Sequence, residues 1–139
     1  MSALPPTDLV RVLVVDDFEP WRHFVRSTLN ALPELQIVGE ACDGLEAVQK
    51  ARELQPDLIL LDIGLPNLNG IDAARRILVP SPASKILFVS QANDPETVEA
   101  ALKDGAMGFV RKSNGGHELL AAIKAILRGD RFVSRELPL

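Results

Sequence analysis

Four short apolar runs along the chain each end on, or just before, a polar residue. Val10-Arg11-Val12-Leu13-Val14-Val15 breaks at Asp16-Asp17, Leu58-Ile59-Leu60-Leu61 at Asp62, and Ile86-Leu87-Phe88-Val89 at Ser90, while Met107-Gly108-Phe109-Val110 is followed closely by Lys112. Runs rich in Val, Ile and Leu, without polar alternation, suit strands covered on both faces, and such strands belong to parallel sheets flanked by helices. In open parallel sheets, chemistry collects at the carboxyl ends of the strands. Three acids, a hydroxyl and a lysine are therefore expected at one edge of a small α/β domain, a group suited to Mg²⁺ and a phosphoryl group.

Helical periodicity fills the intervals. Trp21, Phe24, Val25, Leu29 and Leu32 share one face of a first helix that Pro33 ends. Leu35-Gln36-Ile37-Val38-Gly39-Glu40-Ala41 reads as the second strand. Asp43 with Glu46 three residues on has the form of a capping box for a second helix, whose inward face is Ala47, Val48, Ala51 and Leu54 and which Pro56 closes. Asn69 caps a third helix running to about Leu78, and Pro80-Ser81-Pro82-Ala83-Ser84 is a loop. Asp94-Pro95 starts a fourth helix that Gly105 stops. Leu119, Leu120, Ile123, Ile126 and Leu127 mark a fifth, ended near Gly129. Five strands alternating with five helices predict a doubly wound sheet with right-handed crossovers.

Bulk properties narrow the class. The 139 residues and 47% hydrophobic content suffice for one domain with a single unstapled core. Fifteen basic against nineteen acidic side chains give a net charge of −4, which lacks the concentrated Lys and Arg of nucleic-acid binding. Cys42 is the single cysteine, so no internal disulfide forms and a reducing cytoplasm is the expected setting. No apolar stretch approaches the roughly 18 residues of a membrane span, so no membrane association is expected. Residues 1–8 read as a flexible leader, residues 9–129 as the domain, and residues 130–139 as a tail or the start of a linker.

These segments together resemble the receiver domain of two-component response regulators. The resemblance rests on Val14-Val15-Asp16-Asp17; on Gly39-Glu40-Ala41 with Asp43-Gly44 and Glu46-Ala47; on Pro56-Asp57-Leu58-Ile59-Leu60-Leu61-Asp62-Ile63; on Leu65-Pro66 with Gly70; and on Gly105-Ala106 through Phe109 to Lys112. It implies a flavodoxin-like (βα)5 fold with five parallel strands in the order 2-1-3-4-5. It further implies a phosphorylation-dependent switch rather than an enzyme with an external substrate, with Asp62 accepting a phosphoryl group from a sensor histidine kinase. By the same resemblance, Asp17 and Asp62 ligate the metal with the backbone carbonyl of Gly64, and Asp16 acts mainly through a bridging water. Mg²⁺ suits such carboxylates, whereas zinc favours Cys and His. Lys112 supplies a second cation, and Ser90 hydrogen-bonds a phosphoryl oxygen. Ser90 and Phe109 are then the switch pair: as the hydroxyl moves inward, the ring rotates from solvent into the space behind it, against the plainer reading of Phe109 as core in every state. Phosphorylation-dependent homodimerisation is the implied assembly.

The remaining residues take plain readings. His23 and His117 are helix-surface residues, Cys42 is semi-buried, and Trp21 is partly buried in the core or belongs to a kinase-docking surface. Arg128-Gly129-Asp130 is helix termination. Ser113 stands where receivers usually have proline after the lysine, and the bond before it is expected to be trans. The tail from Asp130 resembles the linker into a helix-turn-helix output domain. The chain is thus either a receiver from a transcription factor, touching DNA only through a domain it does not itself contain, or a single-domain regulator acting through protein contacts. Two other classes compete. A haloacid-dehalogenase-type phosphatase needs an acid at Gly64, two residues after its aspartyl nucleophile. A flavodoxin-like cofactor module would meet repulsion of its flavin phosphate by Asp16 and Asp17.

Overall fold

The apolar runs become the middle of a six-stranded parallel sheet. The computed structural model describes residues 9–92 and 94–134, so the leader at 1–8 and the last part of the tail, 135–139, lie outside the described residues. The element order is β1 (Val10–Val15), α1 (Glu19–Leu29), β2 (Leu35–Ala41), α2 (Gly44–Leu54), β3 (Leu58–Leu61), α3 (Gly70–Ile77), β4 (Lys85–Ser90), α4 (Pro95–Lys103), β5 (Gly108–Arg111), a 3₁₀ turn (Lys112–Asn114), α5 (Gly115–Leu127) and β6 (Phe132–Val133). The strands lie in the order β2-β1-β3-β4-β5-β6, every pair parallel.

Side-chain alternation along these strands builds two cores. Leu13, Val15, Ile59, Leu61, Ile86, Phe88 and Phe109 face one side, with Ala47 and Ala51 of α2, Ala73 and Ile77 of α3, and Val98 of α4. Val12, Val14, Leu58, Leu60, Leu87, Val89 and Val110 face the other, with Val25 and Leu29 of α1 and Leu119, Ile123 and Ile126 of α5. All four residues of β3 are buried, as expected for a central strand with helices on both faces.

Local signals set the helix ends. Asp43, Asn69 and Asp94 each accept a hydrogen bond from the backbone N–H three residues on, and Gly105 and Gly129 follow their helices with φ of 98° and 92°. Glu46 returns its carboxylate to the N–H of Cys42 rather than Asp43. The first helix ends at Leu29, before Pro33, although Leu32 still packs against the core. Gln55, in the left-handed region at φ 48°, ends α2 ahead of Pro56.

The sixth strand was not expected. Residues 130–139 read as tail, yet Phe132 N–H donates to Met107 O (3.1 Å) and Ser134 N–H to Phe109 O (2.9 Å), which adds β6 to the β5 edge. Ser134 is buried, its hydroxyl accepting from Arg111 N–H (2.9 Å) and donating to Glu118 Oε1 (2.5 Å). Two residues are too short for a periodicity signal; pairing with β5 makes them a strand.

Candidate functional site

Each acid sits where its strand runs out. Asp16 and Asp17 follow β1, Asp62 follows β3, Ser90 is the last residue of β4, and Lys112 is the first residue after β5. Because β1, β3, β4 and β5 are parallel neighbours, these ends meet at one edge of the sheet. Carboxylate oxygens of Asp16, Asp17 and Asp62 lie within 4.8 Å of one another. Asp16 and Asp62 are buried and Asp17 is exposed.

Lys112 is the counter-charge. Its ammonium is 2.6 Å from Asp16 Oδ2 and 3.5 Å from Asp62 Oδ2, with the lysine side chain 12% exposed. Asp16 Oδ2 has this ion pair but no hydrogen bond of good geometry, so charge rather than alignment joins the two groups. Burial raises the Asp16 pKa above its ordinary value, against the lowering effects of Lys112 and of the Phe18 N–H, while Asp62 adds a further upward push. One ammonium among three carboxylates leaves an excess of negative charge at a set of hard oxygen donors. That donor chemistry fits a hard divalent cation and has no thiolate or imidazole to favour a softer one.

Asp62 is lightly engaged. Its Oδ1 accepts only a long bond from Gly64 N–H (3.4 Å), and it opens on a cleft of about 470 Å³ lined also by Asp17, Phe18, Gly64, Ser90 and Lys112. Ser90 Oγ accepts from Ala92 N–H (3.2 Å), leaving the hydroxyl proton to be donated. Gly70 closes the loop beneath: its N–H donates to Ile63 O (2.7 Å), and a Cβ there would collide with the carbonyl oxygen of Asp62. A glycine is what allows α3 to start against the Asp62 loop.

Other expectations meet mixed outcomes. Phe109 is fully buried, packed at 6.4 Å from the Phe88 ring, so the core reading describes this structure and the solvent-facing ring does not. Cys42 is exposed rather than semi-buried. His23 and His117 are exposed and Trp21 half-buried, as read. The Lys112–Ser113 bond is trans.

A charge network behind the acids escaped the sequence reading. Arg22 donates to the Asp16 carbonyl (2.5 Å) and pairs with Glu19 and Glu40, while Arg26 pairs with the same two glutamates. The spacing of Glu19, Arg22 and Arg26 on α1 was visible in the chain. The partner on β2, Glu40, was not, since it is joined only by folding.

The fold and site define a class: doubly wound α/β domains with an acidic cluster beside a lysine at the carboxyl edge of the sheet. The model of the response regulator receiver domain matches residues 12–124, and the chain belongs to that family. Among curated relatives, the response regulator GacA of Pseudomonas viridiflava is 35% identical over 93% of this chain and 60% of its own length. The transcriptional regulatory protein LiaR of Bacillus subtilis is 34% identical over 88% of this chain and 58% of its own length. A protein-glutamate methylesterase/protein-glutamine glutaminase of Thermotoga maritima is 41% identical over 80% of this chain but only 33% of the relative. The chain thus spans about 60% of the GacA relative's length. A crystal structure of a LuxR-family two-component response regulator from Aurantimonas superposes with a TM-score of 0.87 at 35% identity, covering 93% of this chain and 92% of that one. This is a receiver domain, the phosphorylation-dependent switch of two-component regulators. Among the described residues, no helix is long and apolar enough to cross a membrane.

Proposed function

We propose that Asp62 accepts the phosphoryl group from a sensor histidine kinase, and that this domain catalyses only its own phosphorylation and dephosphorylation. The observation that carries the reading is the lysine ammonium standing between Asp16 and Asp62 beside an open cleft. An oxygen of Asp62 attacks phosphorus, the bond from phosphorus to the donor imidazole nitrogen breaks, and the imidazole leaves with the electron pair. Lys112 faces the developing charge on the transferring oxygens, and Ser90 donates its hydroxyl proton to one of them. Mg²⁺ would be held by Asp17, Asp62 and the Gly64 carbonyl, with Asp16 acting mainly through a bridging water, and would neutralise phosphoryl charge. The setting is cytoplasmic, and the output is transcription through a DNA-binding domain outside this chain, as the relatives named as transcriptional regulators suggest.

Incubation with Mg²⁺ and acetyl phosphate, followed by intact mass measurement, should yield one base-labile phosphoryl adduct. Asp62→Asn should abolish it, and Asp17→Ala should slow its formation sharply. Full labelling of Asp62→Asn would overturn the assignment.

The Ser90–Phe109 pair belongs to the same proposal, now with the ring inside. Phosphorylation brings close to two negative charges to the cleft, and Ser90 and Lys112 are drawn towards them. Ser90 pairs with Arg111 across β4 and β5, and Phe88 with Phe109, so movement at Ser90 reaches the buried ring through the sheet. Beryllofluoride should shift the Phe109 ring signals in NMR spectra of wild type and leave them closer to the unbound position in Ser90→Ala. Identical shifts in both proteins would remove Ser90 from the route.

A further inference from the structure

The turn that carries Lys112 is thinly held by its own sequence. It is a single 3₁₀ turn, and Asn114, at the start of α5, makes no side-chain cap, unlike Asp43, Asn69 and Asp94 at theirs. What lies against it is Trp21 of α1. The Lys112 ammonium stands over the indole ring, 5.4 Å from its centroid. The first residue of α5, Gly115, approaches the same ring so closely that a Cβ there would sit 2.6 Å from Trp21 Cη2. From behind, Phe24 holds the indole with ring centroids 5.1 Å apart.

We propose that Trp21 is a positioning residue for phosphoryl transfer: its ring holds the Lys112 ammonium and seats the Lys112–Gly115 turn. This rests on the assignment of Asp62 and Lys112 above. The ammonium is joined to Asp16 by an ion pair without an aligned hydrogen bond and to Asp62 Oδ2 by a long hydrogen bond (3.5 Å), contacts that fix the direction of its stem only weakly. A ring face adds a directional contact, because the attraction to the quadrupole falls away once the cation leaves the face. The Lys112 side chain is largely desolvated, at 12% exposure, which strengthens such a contact. Gly115 makes the arrangement possible by bringing the turn down onto the indole. Its φ of −56° is ordinary helix, so the glycine serves space rather than backbone conformation. Alanine would fit the helix and be favoured there by propensity, yet it would displace the ring.

The test uses the whole chain. In unphosphorylated protein labelled at lysine, the ε-methylene protons of Lys112 should be shifted upfield by the indole ring current. The shift should vanish in Trp21→Leu and persist, reduced, in Trp21→Phe. With Mg²⁺ and acetyl phosphate, Trp21→Leu should form the adduct about three- to thirtyfold more slowly, the range given by a cation–π contact of ordinary strength, and Trp21→Phe should recover part of the rate. Gly115→Ala should slow the wild type but have little effect on Trp21→Leu, since the ring it displaces is gone; a purely structural cost would appear in both backgrounds.

An unshifted Lys112 signal in wild type overturns the proposal. So does an equal effect of Gly115→Ala in the two backgrounds, or a wild-type rate in folded Trp21→Leu. Should Trp21→Leu fail to fold, Trp21→Phe and the wild-type spectrum decide. Labelling of Asp62→Asn, by contrast, would overturn the assignment of Asp62 while the ring-current measurement still judged the contact.

Discussion

At the residue scale, the site depends on backbone approach as much as on charge. Asp62 keeps its place because α3 begins directly against its carbonyl, and only Gly70 leaves room for that. Gly70→Ala forces apart two backbone segments, not a flexible side chain, so destabilisation of about 1–3 kcal/mol, the usual scale of overpacking, is expected in urea unfolding. Phosphorylation by acetyl phosphate should slow beyond what the loss of folded protein explains. An unchanged urea midpoint would show that the loop shifts freely. The acids, Ser90 and Lys112 were legible because each interrupts or follows an apolar run, a one-dimensional signal. Arg22 and Gly115 were not, because their importance comes from Glu40 and Trp21, which are distant in sequence and close only after folding.

At the scale of elements, the helices announced themselves and the last strand did not. Asp43, Asn69 and Asp94-Pro95 carry their caps in local sequence, where a side chain and a backbone N–H three residues away suffice. Phe132 and Val133 carry no such signal, and what makes them β6 is the open edge of β5. Ser134 ties that edge down with two side-chain hydrogen bonds in a buried position. Ser134→Ala removes both buried hydrogen bonds of the hydroxyl, which should cost about 1–3 kcal/mol, measured in urea. Hydrogen exchange should rise first at Phe132 and Ser134, whose N–H groups pair with β5. No change in either measurement would mean that β6 adds nothing to stability. The buried state of Phe109 was likewise undecided in sequence, since its place in an apolar strand three residues before Lys112 gave a constant core residue and a moving switch ring equal weight.

At the scale of the whole molecule, the net charge is −4, and Arg22 and Arg26 of α1 are each paired with Glu19 and Glu40. The family resemblance predicts phosphorylation-dependent pairing of two copies. Sedimentation should find a monomer or weak dimer without a phosphoryl donor and a stronger dimer with Mg²⁺ and beryllofluoride. A tight dimer in the absence of any donor would contradict this. Large apolar side chains exposed among the described residues are few, namely Phe18, Leu45 and Val79, and only Phe18 borders the cleft at Asp62.

The sixth strand also decides which way the polypeptide leaves. A helix following a parallel strand runs back along the sheet, so α5 carries the chain to the edge opposite the acids. Because β6 runs parallel to β5, it turns the chain round again. At Ser134 the backbone lies beside Arg111, the neighbour of Lys112. The chain therefore reaches Ser134 at the same edge of the sheet as Asp62 and Lys112. Through two paired residues, a segment that would otherwise end at the far edge is returned to the edge where the acids stand.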